Sequence, residues 1–301
     1  MLMDWGSEIK EYKTYLKLEK GLSENSVSAY ITDLKKFVQF LEDNNYNIEL
    51  KYIEQPHLLS FIEKIKESGV SARTQARILS GLKSFYKFLL IEEKIEKDPS
   101  ELLETPKIGR KLPNTLTVEE IDSIICAIDT SKPEGQRNRA ILETLYSCGL
   151  RVSELINLKI SNLYFESGFV KIEGKGNKER LVPISNKAIK EINLYLSEYR
   201  RNLKICTSHE DFLFLNRRGK KLTREMIFTI IKSIMQLVNI HKNISPHTFR
   251  HSFATHLVEG GANLRAVQEM LGHESILTTE IYTHLDRDFL KNTIIQFHPR
   301  S

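Results

Sequence analysis

Apolar positions in the first hundred residues recur at three- and four-residue steps, the spacing of one helix face. After Ser23, a candidate N-cap, one stripe runs through Val27, Tyr30, Ile31, Leu34, Phe37, Val38 and Leu41. Ser71 opens a second, carrying Ile78, Leu82, Phe85, Tyr86 and Leu89. Helices around 9–20 and 56–67 complete a small bundle. The pattern lapses between Asp98-Pro99 and Lys111-Leu112-Pro113, a Pro- and Lys-rich stretch that reads as a linker. Periodicity resumes at Thr117, where Glu120 three residues on gives a capping-box pattern. Helices are expected at 118–129 and 136–148. Phe169–Glu173 and Glu179–Ile184 read as strands flanking Gly174-Lys175-Gly176-Asn177-Lys178, a hairpin with Lys175 on its tip. Further helices are expected at 186–199, 223–238, 246–259, 263–271 and 275–283. A last apolar stripe, Leu285, Phe289, Ile294 and Phe297, lies on a short terminal segment. The fold class is mainly α with a small antiparallel sheet. Its expected domains are a helical one over 1–104, a linker over 105–113 and an α+β one over 114–301.

Composition narrows the class only a little. The 301 residues, 41% of them apolar, suffice for two packed cores. No run of about 18 apolar residues suggests a membrane span. Met1 to Lys10 contains Asp4 and Glu8 and lacks the apolar core of a signal peptide, so a cytoplasmic protein without membrane insertion is expected. Cys126, Cys148 and Cys206 are odd in number and widely spaced, which reads as three buried reduced thiols. Charge is divided unevenly. Residues 1–106 carry 15 Lys/Arg against 18 Asp/Glu, and residues 107–301 carry 29 against 21, so a net −3 precedes a net +8. That balance suits nucleic acid and is equally ordinary for a soluble protein.

Chemistry concentrates near the end. His247-Thr248-Phe249-Arg250, Leu271-Gly272-His273 and Tyr282 place two imidazoles, a guanidinium and a phenol within 36 residues. A tyrosine hydroxyl is a poor nucleophile until its proton has somewhere to go. Imidazole can take that proton, and Arg can neutralise a phosphate under attack. On a helix, His247 and Arg250 share a face. His247 and His251 at i, i+4 invite a zinc reading with His273 as third ligand, but no Glu follows His247, and no metal is expected. Upstream, Gly149 permits a sharp helix end and puts Arg151 at the start of the next helix, where backbone N–H groups favour an anion. Taken alone, Arg151 is more often a surface residue paired with Glu154 or another carboxylate. Arg73, Arg77, Lys83 and Lys87 share one predicted helix, either a solvated face or a phosphate-binding one. Arg217-Arg218-Gly219-Lys220-Lys221 has the same two readings.

The ordered set of motifs resembles the tyrosine recombinase (phage-integrase-type) family, and within it the Xer group. It runs from Leu18-Glu19-Lys20-Gly21-Leu22-Ser23 through Gly149-Leu150-Arg151-Val152-Ser153-Glu154-Leu155 and Gly174-Lys175-Gly176-Asn177-Lys178-Glu179-Arg180. It continues through Ser245-Pro246-His247-Thr248-Phe249-Arg250-His251-Ser252-Phe253-Ala254-Thr255-His256 to Leu271-Gly272-His273 and Tyr282. No catalytic position departs from the pattern, and His273 stands where some relatives carry Trp. The resemblance implies a SAM-like helical core-binding domain and a catalytic domain closing as a C-shaped clamp on duplex DNA. It implies that Tyr282 attacks the scissile phosphate to form a 3′-phosphotyrosyl link. Arg151 and Arg250 would hold the non-bridging oxygens, and Lys175 (or Lys178) would protonate the leaving 5′ oxygen. His247 would act as acid/base and His273 would bind the phosphate. Two guanidiniums and an ammonium leave little need for Mg²⁺, so no cofactor is expected. Arg73, Arg77, Lys83 and Lys87 then become expected phosphate contacts, with Arg217 and Arg218 as further candidates. The implied partners are a duplex recombination site, a homo- or hetero-tetramer on DNA formed with a second Xer-type recombinase, and a septal DNA translocase. A C-terminal tail from about 285 would dock on a neighbouring protomer. The implied role is resolution of chromosome dimers at cell division. The alternatives are the integrase of a mobile element and a non-catalytic DNA-binding protein on the same fold.

Overall fold

Ser23 and Ser71 cap their helices as their positions suggest, each side chain accepting from the backbone N–H three residues on. The computed structural model describes residues 5–46, 48–106, 115–132, 134–174, 178–272 and 284–300, the side chains of 284–288 excepted. The chain divides into two units, Met1–Lys111 and Leu112–Ser301.

The first unit holds helices α1 (Trp5–Leu18), α2 (Glu24–Asp43), α3 (Gln55–Glu67) and α4 (Ala72–Ile91). The stripe positions Val27, Leu34, Phe37 and Leu41 of α2 and Ile78, Leu82, Phe85, Tyr86 and Leu89 of α4 meet in one core. Trp5 stacks on Phe85 at 6.1 Å and meets Phe37 edge-on at 6.0 Å, which extends the first helix earlier than its apolar spacing indicates.

The second unit opens with α5 (Val118–Cys126), whose Thr117 and Glu120 form the expected reciprocal cap at 2.8 and 3.2 Å. Then follow α6 (Gly135–Cys148), a short α7 (Val152–Ile156), strands β1 (Leu163–Tyr164), β2 (Phe169–Glu173) and β3 (Glu179–Pro183), and α8 (Asn186–Leu194). Helices α9 (Arg224–Met235), α10 (Pro246–Glu259), α11 (Leu264–Leu271) and α12 (His284–Phe297) complete the described elements. The sheet is antiparallel in the order β1-β2-β3, with Val170 opposite Val182 and Glu173 opposite Glu179. Helix α6 is buried on all sides from Ala140 to Cys148. A helix enclosed all round shows no single apolar stripe. Gly149 ends α6 in the left-handed conformation (φ 56°), where glycine carries no Cβ penalty.

Several expectations are corrected. Strand β1 is too short to leave a periodic signal. The helix expected at 186–199 ends at Leu194 and continues as a π turn over Tyr195–Tyr199. Only Cys148 is buried; Cys126 is exposed and Cys206 intermediate, although all three thiols are free. The terminal segment is a full helix, and α12 packs on its own unit: Leu290 and Ile294 are buried in the core while Phe289 and Ile295 face outward. No described helix is long and apolar enough to cross a membrane. The 275–283 helix, Lys175, His273, Tyr282 and most of the 105–113 linker lie outside the described residues.

Candidate active site

The motifs of the second unit meet around one buried carboxylate. Arg151 is the N-cap of α7, and its backbone N–H donates to Glu154 Oε2 at 2.8 Å while its Nη1 donates to Oε1 at 2.9 Å. Arg180, on β3, clamps the same carboxylate with both prongs, Nη1 to Oε1 at 2.9 Å and Nη2 to Oε2 at 2.8 Å. Four N–H donors fill the acceptor capacity of Glu154, which is 5% exposed. Burial pushes its pKa up, but the Arg180 and Arg151 bonds outweigh that and hold it below the ordinary carboxylate value. The Glu154 expected as a mere surface partner of Arg151 is therefore a buried hub.

The same three arginines converge on the end of α11. Arg180 Nε donates to the Met270 carbonyl at 2.9 Å, Arg250 Nη2 to Leu271 at 2.6 Å, and Arg151 Nη2 to Gly272 at 3.0 Å. Terminal helix carbonyls lack intrahelical partners and carry the negative end of the dipole, so cations belong there. Arg250 also donates Nη1 to the Gly149 carbonyl at 2.7 Å and stands 4.0 Å from Glu154 Oε2. Burial, reinforced by the nearby Arg151 charge, lowers its pKa to about 10, so it stays protonated at neutral pH. Three guanidiniums against one carboxylate leave a formal +2. Arg250 is buried and the Arg151 side chain is 41% exposed, so the pair reaches from the interior to solvent. Gly272 closes α11 at φ +61°, and a Cβ there would stand 3.1 Å from Arg180 Cδ. The tight turn that precedes His273 therefore requires glycine twice over.

His247 sits in the first turn of α10, exposed, three residues before Arg250. The Ser245 cap reciprocates with Thr248 there, and free N–H groups at such a terminus favour an anion. His256, by contrast, serves packing, its Nδ1 lying 2.7 Å from the Tyr146 hydroxyl. Lys178 stands exposed at the base of the hairpin tip, where Gly174 N–H donates to its carbonyl at 2.8 Å.

The candidate DNA-contact residues fare differently from one another. At about 100° per residue, Arg73, Arg77, Lys83 and Lys87 fall on one face of α4. Arg73 and Lys87 are exposed, and Lys83 reaches the Glu101 carbonyl at 3.3 Å. Arg77 is already engaged, its Nη1 2.8 Å from the carboxylate of Asp33, itself 1% exposed. Burial raises the Asp33 pKa against the pull of Arg77. Arg217 and Arg218 are exposed on a tight turn between the paired Leu215 and Lys221.

Glu154 and Arg180 are the site residues that sequence reading passed over as chemistry. The first had a signal, an acid three residues after an N-cap. The second lies near the start of a strand, and no capping or spacing rule marks it.

Known proteins place the chain in a family. Residues 114–288 match the phage integrase family, and residues 9–93 match the phage integrase N-terminal SAM-like domain. The chain is 43% identical over 293 residues to the tyrosine recombinase XerD of Staphylococcus haemolyticus (strain JCSC1435), covering 97% of this chain and 99% of that protein. It is 43% identical over 299 residues to XerD of Chlorobaculum tepidum (strain ATCC 49652 / DSM 12025 / NBRC 103806 / TLS), covering 98% and 97%. Among solved structures, the XerH recombinase bound to its difH substrate before cleavage shares the fold (TM-score 0.67, 24% identity, 91% of this chain and 85% of that one). So does a lambda integrase tetramer bound to a Holliday junction (TM-score 0.71, 16% identity, 93% and 79%). The chain belongs to the phage integrase family of tyrosine recombinases. It is a site-specific DNA recombinase of the Xer type.

Proposed function

We propose that this recombinase cuts and rejoins duplex DNA through a 3′-phosphotyrosyl intermediate on Tyr282, to resolve chromosome dimers at cell division. The reading is carried by one observation: Arg151 and Arg250, 99 positions apart, both donate to the carbonyls that lead into His273. A partly exposed and a buried guanidinium, with net positive charge around them, suit the non-bridging oxygens of a phosphodiester, whose charge grows in the five-coordinate transition state. Tyr282 Oη forms the new bond to phosphorus as the bond to the 5′ oxygen breaks. His247 accepts the phenol proton, and Lys175, or Lys178, gives the leaving oxygen its proton. His273 hydrogen-bonds the phosphate. The ester energy is kept in the covalent link, so a second 5′-hydroxyl reverses the step without ATP.

The helical unit binds the same duplex, with Arg73, Lys83 and Lys87 of α4 on phosphates, and Arg217 and Arg218 add contacts from the second unit. The working assembly is a tetramer on DNA formed with a second Xer-type recombinase, activated by a septal translocase in the cytoplasm. The tail from about 285 would dock in trans there, and the outward Phe289 and Ile295 give it an apolar face to offer. Replacing both by Ala should abolish synapsis while leaving single-site binding intact; unimpaired synapsis would remove the docking idea.

The test of the chemistry is Tyr282→Phe. It should bind duplex normally and form no covalent adduct on a nicked suicide substrate, and an adduct would overturn the assignment. Arg151→Ala or Arg250→Ala should cost at least ~3 kcal/mol of transition-state stabilisation, the scale of losing one donor at an oxyanion-type site.

A further inference from the structure

We infer that Arg180 is a positioning residue for strand cleavage: by clamping both oxygens of Glu154, it limits the pull of that carboxylate on Arg151 and Arg250, the pair that holds the scissile phosphate. The inference rests on the phosphate-clamp reading of those two arginines. Arg180 is 7% exposed, and its Nε, Nη1 and Nη2 are all spent on protein acceptors, so it does not itself face DNA.

What Arg180 withholds matters as much as what it binds. Glu154 is a buried anion already bonded to Arg151 and only 4.0 Å from Arg250. Strip away the bidentate Arg180 and the carboxylate has two vacant acceptor sites. A carboxylate in a low-dielectric setting draws in nearby cations, and Arg250 Nη1 already stands 4.0 Å away. Each guanidinium so captured is one whose charge no longer serves the phosphate. The third Arg180 bond, to the Met270 carbonyl, ties β3 to the turn that leads into His273. The Arg180 stem also fills the space that a Gly272 side chain would need. One residue thus couples the hairpin, the Arg pair and the α11 terminus.

A residue that acts only on stability would slow every substrate alike. One that sets the availability of cations for an anion would not. The experiment uses the full chain and a nicked duplex selected because the wild-type chain forms a covalent adduct on it. That duplex is made once with an ordinary scissile phosphate and once with a neutral methylphosphonate there. Arg180→Lys keeps a cation but cannot form the fork. It should bind the duplex within about threefold of wild type and form adduct at least about tenfold more slowly on the phosphate. On the methylphosphonate, which carries one negative charge fewer throughout, the deficit should shrink to within about threefold. Arg180→Ala with added guanidinium should recover part of the phosphate rate. Wild-type rates in Arg180→Lys, or an equal deficit on both linkages, would overturn the inference. So would loss of fold in both variants, which would assign the residue to stability alone. Arg151→Ala and Arg250→Ala run alongside. If they too lose equally on both linkages, the phosphate-clamp reading itself fails; if they are phosphate-selective and Arg180→Lys is not, only the role of Arg180 falls.

Discussion

Gly149→Ala probes how tightly the site is tied to the packing beneath it. Gly149 holds φ 56° and ψ 34°, and an L-residue there costs about 1–2 kcal/mol. The added Cβ would also stand 2.4 Å from Phe253 Cδ1 and 2.8 Å from Cε1, on a ring that is fully buried. Overpacking of a closed core costs about 1–3 kcal/mol, so the sum is about 2–5 kcal/mol. Gly168→Ala is the control within the same unit. Its φ is +76°, but the nearest atom to its Cβ is Lys291 Cε at 3.3 Å, on a flexible chain that can move aside. It should cost only the backbone share, about 1–2 kcal/mol. Urea unfolding followed by far-UV circular dichroism reads the difference. Fluorescence of Trp5, the sole tryptophan, reports the first unit and should not move. Because the Gly149 carbonyl accepts from Arg250, adduct formation should fall further than stability does. If Gly149→Ala proves no more destabilising than Gly168→Ala, the clash with Phe253 is not a real constraint and the argument fails.

Two buried groups near the C-terminus should bend the pH dependence of stability in opposite directions. Burial, against the pull of Arg300, lifts Glu143 from an ordinary 4.5 to about 7, so between those values the fold binds a proton the unfolded chain has released, and stability falls as pH rises. Burial lowers His298 from 6.5 to about 4, so there the unfolded chain holds the extra proton and stability rises with pH. Each effect is worth ~3 kcal/mol, and between about 4.5 and 6.5 they oppose. Relative to wild type, the stability of Glu143→Gln should rise and that of His298→Gln should fall with pH across that range, read by urea denaturation; parallel profiles would contradict both environments. On DNA, Arg73→Ala, Lys83→Ala and Lys87→Ala should each flatten the slope of log affinity against log salt by about 0.9, read by anisotropy titrations, and unchanged slopes would take α4 off the backbone. Arg77→Ala should instead destabilise the first unit by about 1–3 kcal/mol, since Asp33 loses its ion-pair partner, and unchanged Trp5-monitored unfolding would deny that pair any weight.

Much of this protein was legible in one dimension because local rules governed it. The Ser23, Ser71 and Thr117 caps, the Val27-to-Leu41 stripe and the Phe169–Glu173 strand follow from spacing and side-chain reach, and each stands where those rules put it. The Arg151, His247 and Arg250 motifs stood out because their residue types are rarely gathered in that order. Tertiary structure decided what local spacing does not encode. Burial made Glu154 a hub where its position beside Arg151 suggested a surface ion pair. Arg180 owes its place to contacts with residues 26 and 90 positions away. The direction of a buried guanidinium depends on which distant carbonyls need a donor, and only the folded chain settles that.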